Sequence, residues 1–402
     1  MNTTAIALLL IAVPFFMSWG TCCLVKRWGP VVGLIDKPGG RKIHANPTPT
    51  GGGLGIWTGV IIPAAAISLF ALGLDRDANL LWGLPLDRFP DVVAQRLPGV
   101  RAKLPALWTL LGLGSVLTAL GALDDRYSLP WKLRLAVEFL VAVAAVAAGW
   151  RATFFVNLPL VTWPVSVLWI VGLVNSFNML DNMDGLSAGV AGIAALFLTA
   201  VAFFFAPNPL SGEPQLFLAC LLLILVGAIL GFLKLNRPPA KMFMGDGGAY
   251  FIGFLLATLT LSITFVGGDA PKAAIFVPLV ILAVPLYDTV SVVTIRLRNG
   301  KSPFEGDKNH YSHRLTALGL TRVQAVGTIY LTTAVCATGA LFLYQVNFLC
   351  AMLILLQTAL ILALVAILEF AARKKIREEE SQIDALRELE SKRENDKTKQ
   401  QQ

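Results

Sequence analysis

The stretch "WPVSVLWIVGLVNSFNMLDNMDGLSAGVAGIAALFLTA", Trp163–Ala200, consists of two apolar runs parted by one short polar break. Inside the break Asn175, Asn178, Asp181 and Asp184 recur every third residue. Lipid hydrocarbon offers no partner to a backbone N–H or C=O, so an apolar run that crosses it must be helical. The two runs therefore read as consecutive spanning helices, with the break as their turn. The pattern recurs along the chain. Of 402 residues 56% are hydrophobic and only 14% charged, with mean hydropathy +0.69, where a soluble domain carries about a quarter charged residues. Runs of about 20 apolar residues are centred near residues 14, 63, 113, 142, 167, 196, 225, 258, 284, 334 and 358. They predict an all-α polytopic membrane protein of about eleven spans. The first run has no basic residue before it and Lys26 and Arg27 after it, the pattern of an anchor with its N-terminus outside.

Eleven spans decide which loops share a face. Loops 25–52, 124–134, 178–185, 234–247 and 296–322 and the tail from 371 carry 26 of the 33 Lys and Arg residues. That bias places this face in the cytoplasm. The net charge of +8 is thus largely a topology signal, although it also favours anionic lipid and phosphorylated ligands; no nucleic-acid partner is indicated. The five cysteines lie in apolar segments without C-x-x-C spacing, so neither a disulfide framework nor a zinc site follows. The chain divides into a membrane body, 1–370, and a charged tail, 371–402, read as a solvated cytoplasmic helix or a disordered segment. Ile376, Ile383 and Leu386 hint at a heptad there, too short for a coiled coil, and association into a homodimer stays open.

On this topology the acids and histidines collect on one side. Asp124 and Asp125 end the third span, Asp181 and Asp184 lie between the fifth and sixth, Asp246 opens the eighth, and Asp307 precedes "KNHYSHRL". His44, His310 and His313 share that face. Each has an ordinary structural explanation: Asp184 and Asp246 precede glycines as N-caps do, Asp124-Asp125 fits a solvated turn, and His310 and His313 fit an interfacial loop. Gly51, Gly55 and Gly59, at four-residue spacing, read as a helix-packing face. Asp288 and Glu138, inside spans, are functional candidates because ionisable groups are costly in a bilayer. Jointly the ordinary explanations weaken, because separate caps have no reason to gather carboxylates on one face. Adjacent carboxylates repel unless a cation binds them, and hard oxygens with Asn amides suit Mg²⁺ or Mn²⁺. Lys132, Arg134, Lys241, Arg296, Arg298 and Lys301 supply charge for phosphate. The constellation reads as phosphoryl transfer at the membrane surface.

The motifs "DKPGGRKIHANPTPTGGG", "LGALDD", "NSFNMLDNMDGL", "FMGDGGAYFIGF", "PLYDTVSVVTIRL" and "DKNHYSHRL", in that order over residues 20–320, resemble the polyprenyl-phosphate N-acetylhexosamine-1-phosphate transferases. The resemblance implies transfer of a sugar 1-phosphate from a UDP-N-acetylhexosamine to polyprenyl phosphate, with release of UMP, at the cytoplasmic face of the inner membrane. It implies Mg²⁺ as cofactor, with Mn²⁺ able to substitute. It further implies Asp124, Asp125, Asp181, His310 and His313 as catalytic residues and Lys132, Asn178, Asp184, Arg296 and Arg298 as substrate contacts. Asp246, Asp181 and Asn178 become the metal ligands. "RKIHANPTP" resembles the N-acetylhexosamine branch, favouring UDP-GlcNAc and undecaprenyl phosphate over the phospho-MurNAc-pentapeptide branch. Ser312, where related chains often carry a histidine, and Ala249, where serine is common, depart from the pattern and bear on sugar preference. The rival from another class is an ion-coupled transporter, whose site would lie near the bilayer midplane.

Overall fold

The computed structural model describes residues 3–36, 47–75, 80–81, 84–85, 91–152, 158–206, 212–263, 265, 271–302 and 310–368. The tail, His44 and Asp307 lie outside the described residues. The protein is an all-α polytopic membrane protein, and each of the eleven expected centres falls within a helical segment. In chain order these are α1 (Thr3–Trp28), α2 (Gly52–Leu72), α3 (Asp91–Tyr127), α4 (Trp131–Ala147), α5 (Pro159–Leu180), α6 (Leu186–Ala200), α7 (Leu216–Asn236) and α8 (Asp246–Ser262). They continue through α9 (Val277–Ile281), α10 (Ala283–Arg298), α11 (Tyr311–Ala317), α12 (Arg322–Phe342) and α13 (Phe348–Leu368). Eight of them are long and apolar enough to cross a membrane, and Lys272–Ile281 with α10, bent by 65°, forms a ninth crossing if taken as one. The other two expected spans, α4 and α8, have only 17 residues each.

The short α8 is the centre of the bundle. Its residues from Gly247 to Thr260 are all buried, as a helix that is apolar all round must be, and it packs against α2, α3, α5 and α6. Small residues allow this. A Cβ on Gly53 of α2 would fall on the backbone of Gly248, and one on Gly121 of α3 would fall on the backbone of Gly247. Of the predicted packing face, Gly55 and Gly59 lie on α2 while Gly51 is its left-handed N-cap: a Cβ on Gly59 would come within 2.8 Å of the Ala228 Cβ in α7 and 2.9 Å of the Ser18 Cβ in α1. In lipid such backbone approach substitutes dispersion contacts for the missing hydrophobic drive between helices.

The entry to α2 joins the entry to α8 through backbone hydrogen bonds. The short strands β1 (Ile35–Asp36) and β2 (Thr48–Pro49) pair antiparallel. Beyond them Phe243 N–H donates to Pro49 O (2.9 Å), while Gly52 and Gly53 N–H donate to Phe243 and Met244 O (2.9 and 2.8 Å). "PTPTGGG" and "FMGD" are thus one folded unit. The five cysteines are free.

Gly121→Ala should be strongly destabilising, because overpacking a tight crossing costs about 1–3 kcal/mol or more. Gly112→Ala on the same helix meets nothing within 4 Å and should be neutral or stabilising by up to about 1 kcal/mol. Thermal unfolding of the two variants in detergent checks this; equal midpoints would contradict the close crossing.

Candidate active site

Of the four polar residues where α5 meets α6, Asn175 and Asn178 lie inside α5 and Asp181 and Asp184 in the turn, and their surroundings differ. Asn175 turns into the bundle and donates from Nδ2 to the buried Glu138 of α4 and to Val171 O (2.9 Å). That pair satisfies an intramembrane acid. Asn178 is half-buried, and its amide makes no hydrogen bond with a described residue. Asp181 is the C-cap residue of α5. Burial first, then the negative charges of Asp125 and Asp184, push its carboxyl up to about 7. Asp184 does not cap α6 as its position before Gly185 suggests: its Oδ2 accepts from Ala240 N–H at 2.9 Å. The cap position belongs to Gly185, whose φ of +76° is one that side chains rarely adopt.

The second half of the site is the junction of α3, α4 and α8. Asp124, buried near the end of α3, accepts from Leu129 N–H at 2.6 Å and from Arg134. It thereby holds the turn into α4, where Ser128 takes φ +51°. Arg134 also lies 3.4 Å from Asp246. Asp246 is the first residue of α8 rather than its cap. Its N–H donates to Asp125 Oδ1 at 3.2 Å, so Asp125 caps α8 from another helix, where the helix dipole favours an anion. The preceding Gly245, at φ +75° and ψ 166°, is in a region essentially restricted to glycine, and the Asp125 carboxylate fills the space a Cβ would need.

The two halves are close enough for the Asp125 charge to help raise the Asp181 carboxyl. The histidine helix joins them. Ser312 Oγ donates to Asn182 Oδ1, and Thr289 on α10 donates to Ser176 on α5 at 2.9 Å. His310 is buried with Nδ1 2.9 Å from Asp288 Oδ2, and half-buried His313 lies beside it, its ring tilted and 6.3 Å away between centroids. The structure therefore gathers Asp124, Asp125, Asn178, Asp181, Asp184, Asp246, His310 and His313 at one end of the bundle. Among the expected substrate cations, Arg296 is buried and donates to Ser302 O, bracing the loop after α10. Arg298 is exposed, and Lys132 lies over the Trp131 ring at 5.8 Å. Among the described residues, no three His, Cys, Asp or Glu side chains close into a ready-made coordination shell.

Two structural roles were not readable from motif position. Arg134 appears in the sequence as one of six phosphate-binding cations, whereas here it ties Asp124 to Asp246. Its one signal is the spacing of ten residues from Asp124 across a tight turn. Asn236, buried at the end of α7, accepts from Gly185 N–H and donates to Met242 O, both at 2.8 Å. It clasps the α5–α6 turn to the loop before α8, and nothing in its local sequence marks it.

The sequence pattern of "Glycosyl transferase family 4" matches residues 107–264, from α3 through α8, and so includes all five clustered carboxylates. A "Probable undecaprenyl-phosphate N-acetylglucosaminyl 1-phosphate transferase" of Bacillus subtilis is 31% identical over 347 residues, covering 83% of this chain and 85% of that one. The chain belongs to glycosyl transferase family 4. Two further family relatives are similar over comparable lengths. An "Undecaprenyl-phosphate alpha-N-acetylglucosaminyl 1-phosphate transferase" of Escherichia coli K12 is 25% identical over 84% of each chain. A "Decaprenyl-phosphate N-acetylglucosaminephosphotransferase" of Mycolicibacterium smegmatis is 30% identical over 77% of this chain and 75% of its own.

Asn236→Ala should leave the Gly185 N–H and Met242 C=O without their partner, at a cost of about 1–3 kcal/mol for each unsatisfied buried group. A lowered unfolding midpoint in detergent is the expected result; an unchanged midpoint would contradict the clasp.

Proposed function

We propose that this family 4 protein transfers N-acetylglucosamine 1-phosphate from UDP-GlcNAc to undecaprenyl phosphate, releasing UMP, at the cytoplasmic face of a bacterial inner membrane. The observation that carries the reading is the set of carboxylates collected at one bundle end beside the histidine helix. An ion-coupled transporter would place its site near the bilayer midplane, whereas here the two intramembrane acids are engaged by Asn175 and His310. The names of the relatives support GlcNAc as the sugar. The lysine and arginine bias supports the cytoplasmic side.

The reaction joins two anions. An oxygen of the lipid phosphate attacks the β-phosphorus of the UDP-sugar, the bond from that phosphorus to the bridging oxygen breaks, and UMP leaves with the electron pair. At 4 Å two unit charges repel by about 4 kcal/mol at an effective dielectric of 20, so bringing the phosphates together requires positive charge. Mg²⁺ fits the donor set, because it takes one or two carboxylates and fills its remaining positions with water and substrate phosphate. Asp246, Asp181 and Asn178 would hold it, and when bound it would offset charge on the diphosphate oxygens. Arg134 restrains Asp124 and Asp246 as a pair, and Asp125, anchored on the α8 N-terminus, adds its charge to the field at Asp181. The capping bonds keep these carboxylates in place before substrate arrives, so that little reorganisation accompanies transfer. Exposed apolar side chains beside the site, Leu123 and Leu133 among them, suit the prenyl chain of the second, lipid-borne substrate.

Purified protein with UDP-GlcNAc, undecaprenyl phosphate and Mg²⁺ should release UMP. Asp125→Asn and Asp246→Asn should each reduce the rate on the order of 100-fold; rates near wild type would remove those roles. A carboxyl raised to about 7 is protonated below that pH and ionised above it, so protons compete with the cation for Asp181. At limiting Mg²⁺ the rate should fall as pH drops through 7, and saturating Mg²⁺ should move the midpoint lower. A midpoint indifferent to Mg²⁺ would contradict a ligand role for Asp181.

A further inference from the structure

His310 is held from beneath by a helix that none of the proposed transfer steps uses. Asp288 lies within α10 and is fully buried. Each of its oxygens has a donor: Oδ2 lies 2.9 Å from His310 Nδ1, and Oδ1 accepts from Tyr311 N–H at 2.6 Å. The second bond satisfies the first N–H of α11, so Asp288 caps that helix across a gap of 23 residues. Arg314, one turn along α11, places a guanidinium nitrogen 4.0 Å from the same Oδ1 and donates to Ser291 Oγ at 2.8 Å. The Tyr287 ring lies under that guanidinium at 6.0 Å and meets the Tyr311 ring edge-on at 5.9 Å. Rings and charges thus enclose the carboxylate on the sides His310 leaves open.

We propose that Asp288 is a positioning residue for the transfer: it fixes the His310 ring with its proton on Nδ1 and presents Nε2 to the UDP-sugar. An ionised carboxylate has no proton to give and can only accept, so with Arg314 beside it Asp288 accepts from the imidazole at Oδ2, which puts a proton on Nδ1. Nε2 has no partner among the described residues, and it is not among the sealed polar atoms. The Ser312–Asn182 bond ties the start of α11, which follows His310, to the turn that carries Asp181. Nε2 is therefore the one ring atom left for the donor substrate, and Asp288 determines both its direction and its protonation. This rests on the GlcNAc-1-phosphate transfer reading for the identity of the substrate.

The test is Asp288→Asn in the full-length protein. The amide oxygen can still accept from Tyr311 N–H, so the α11 cap survives, but the amide nitrogen donates toward Nδ1 and drives the imidazole proton to Nε2. The chain has only three histidines, so ¹⁵N spectra of histidine-labelled protein are assignable by removing one imidazole at a time. The expected wild-type signature is a protonated Nδ1 on His310, moved to Nε2 in D288N. UMP release should fall on the order of 10–100-fold in kcat, with the KM for undecaprenyl phosphate unchanged. Asp288→Glu, which restores a carboxylate, should recover the Nδ1–H signature and part of the rate, and it carries the test if D288N fails to fold. Wild-type kcat in D288N, or a wild-type His310 protonated on Nε2, would overturn the positioning role alone. A wild-type protein that makes no UMP would instead overturn the transfer reading.

Discussion

The contact on which the rest depends is the crossing of α2, α3 and α8 at Gly53, Gly121, Gly247 and Gly248. Backbone meets backbone there, with no room for a single Cβ. Because α3 runs so close to the start of α8, Asp124 and Asp125 at its end reach Asp246 at the other's beginning. The oppositely directed ends of two helices thereby meet. The α8 N-terminus contributes unsatisfied N–H groups and a positive dipole end, and Asp125 answers both.

Around that junction the protein concentrates negative charge that it only partly compensates. Arg134 serves Asp124 and Asp246, while Asp181 is left with acidic neighbours and a carboxyl raised to about 7. Such a cluster is costly for a folded protein standing alone and becomes favourable once a cation or a cationic complex is bound. The arrangement is bounded by hydrogen-bonded clasps rather than by packing alone: Asn236 holds the α5–α6 turn, Asp184 holds the loop at Ala240, and Ser312 holds the histidine helix.

How much of this the sequence discloses depends on the range of the physics involved. The helices are legible because lipid leaves an apolar run no other structure, and the gathering of the acids is legible because topology alone assigns each loop to a face. Gly55 and Gly59 announce a packing face by their spacing. Gly121 and Gly53 do not, since a single glycine says that something comes close and not what. Asp184 and Asp246 look like caps because capping is a local rule, yet long-range partners, Ala240 N–H and Arg134, take them instead. Asn175 belongs to the same three-residue series as Asp181, but its helical position turns it inward to Glu138. Hydropathy shows α8 only as an apolar run, whereas its burial among neighbouring helices lets 17 residues suffice as the hub.

In the proposed reaction the carboxylate end of this bundle moves a sugar together with its phosphate. The most direct measurement is the mass of the lipid product after incubation with UDP-GlcNAc and undecaprenyl phosphate, with the nucleotide identified alongside. The expected product is a lipid bearing two phosphates and one N-acetylglucosamine, formed in equal amount with UMP. A lipid bearing one phosphate and the sugar, formed with UDP, would contradict it.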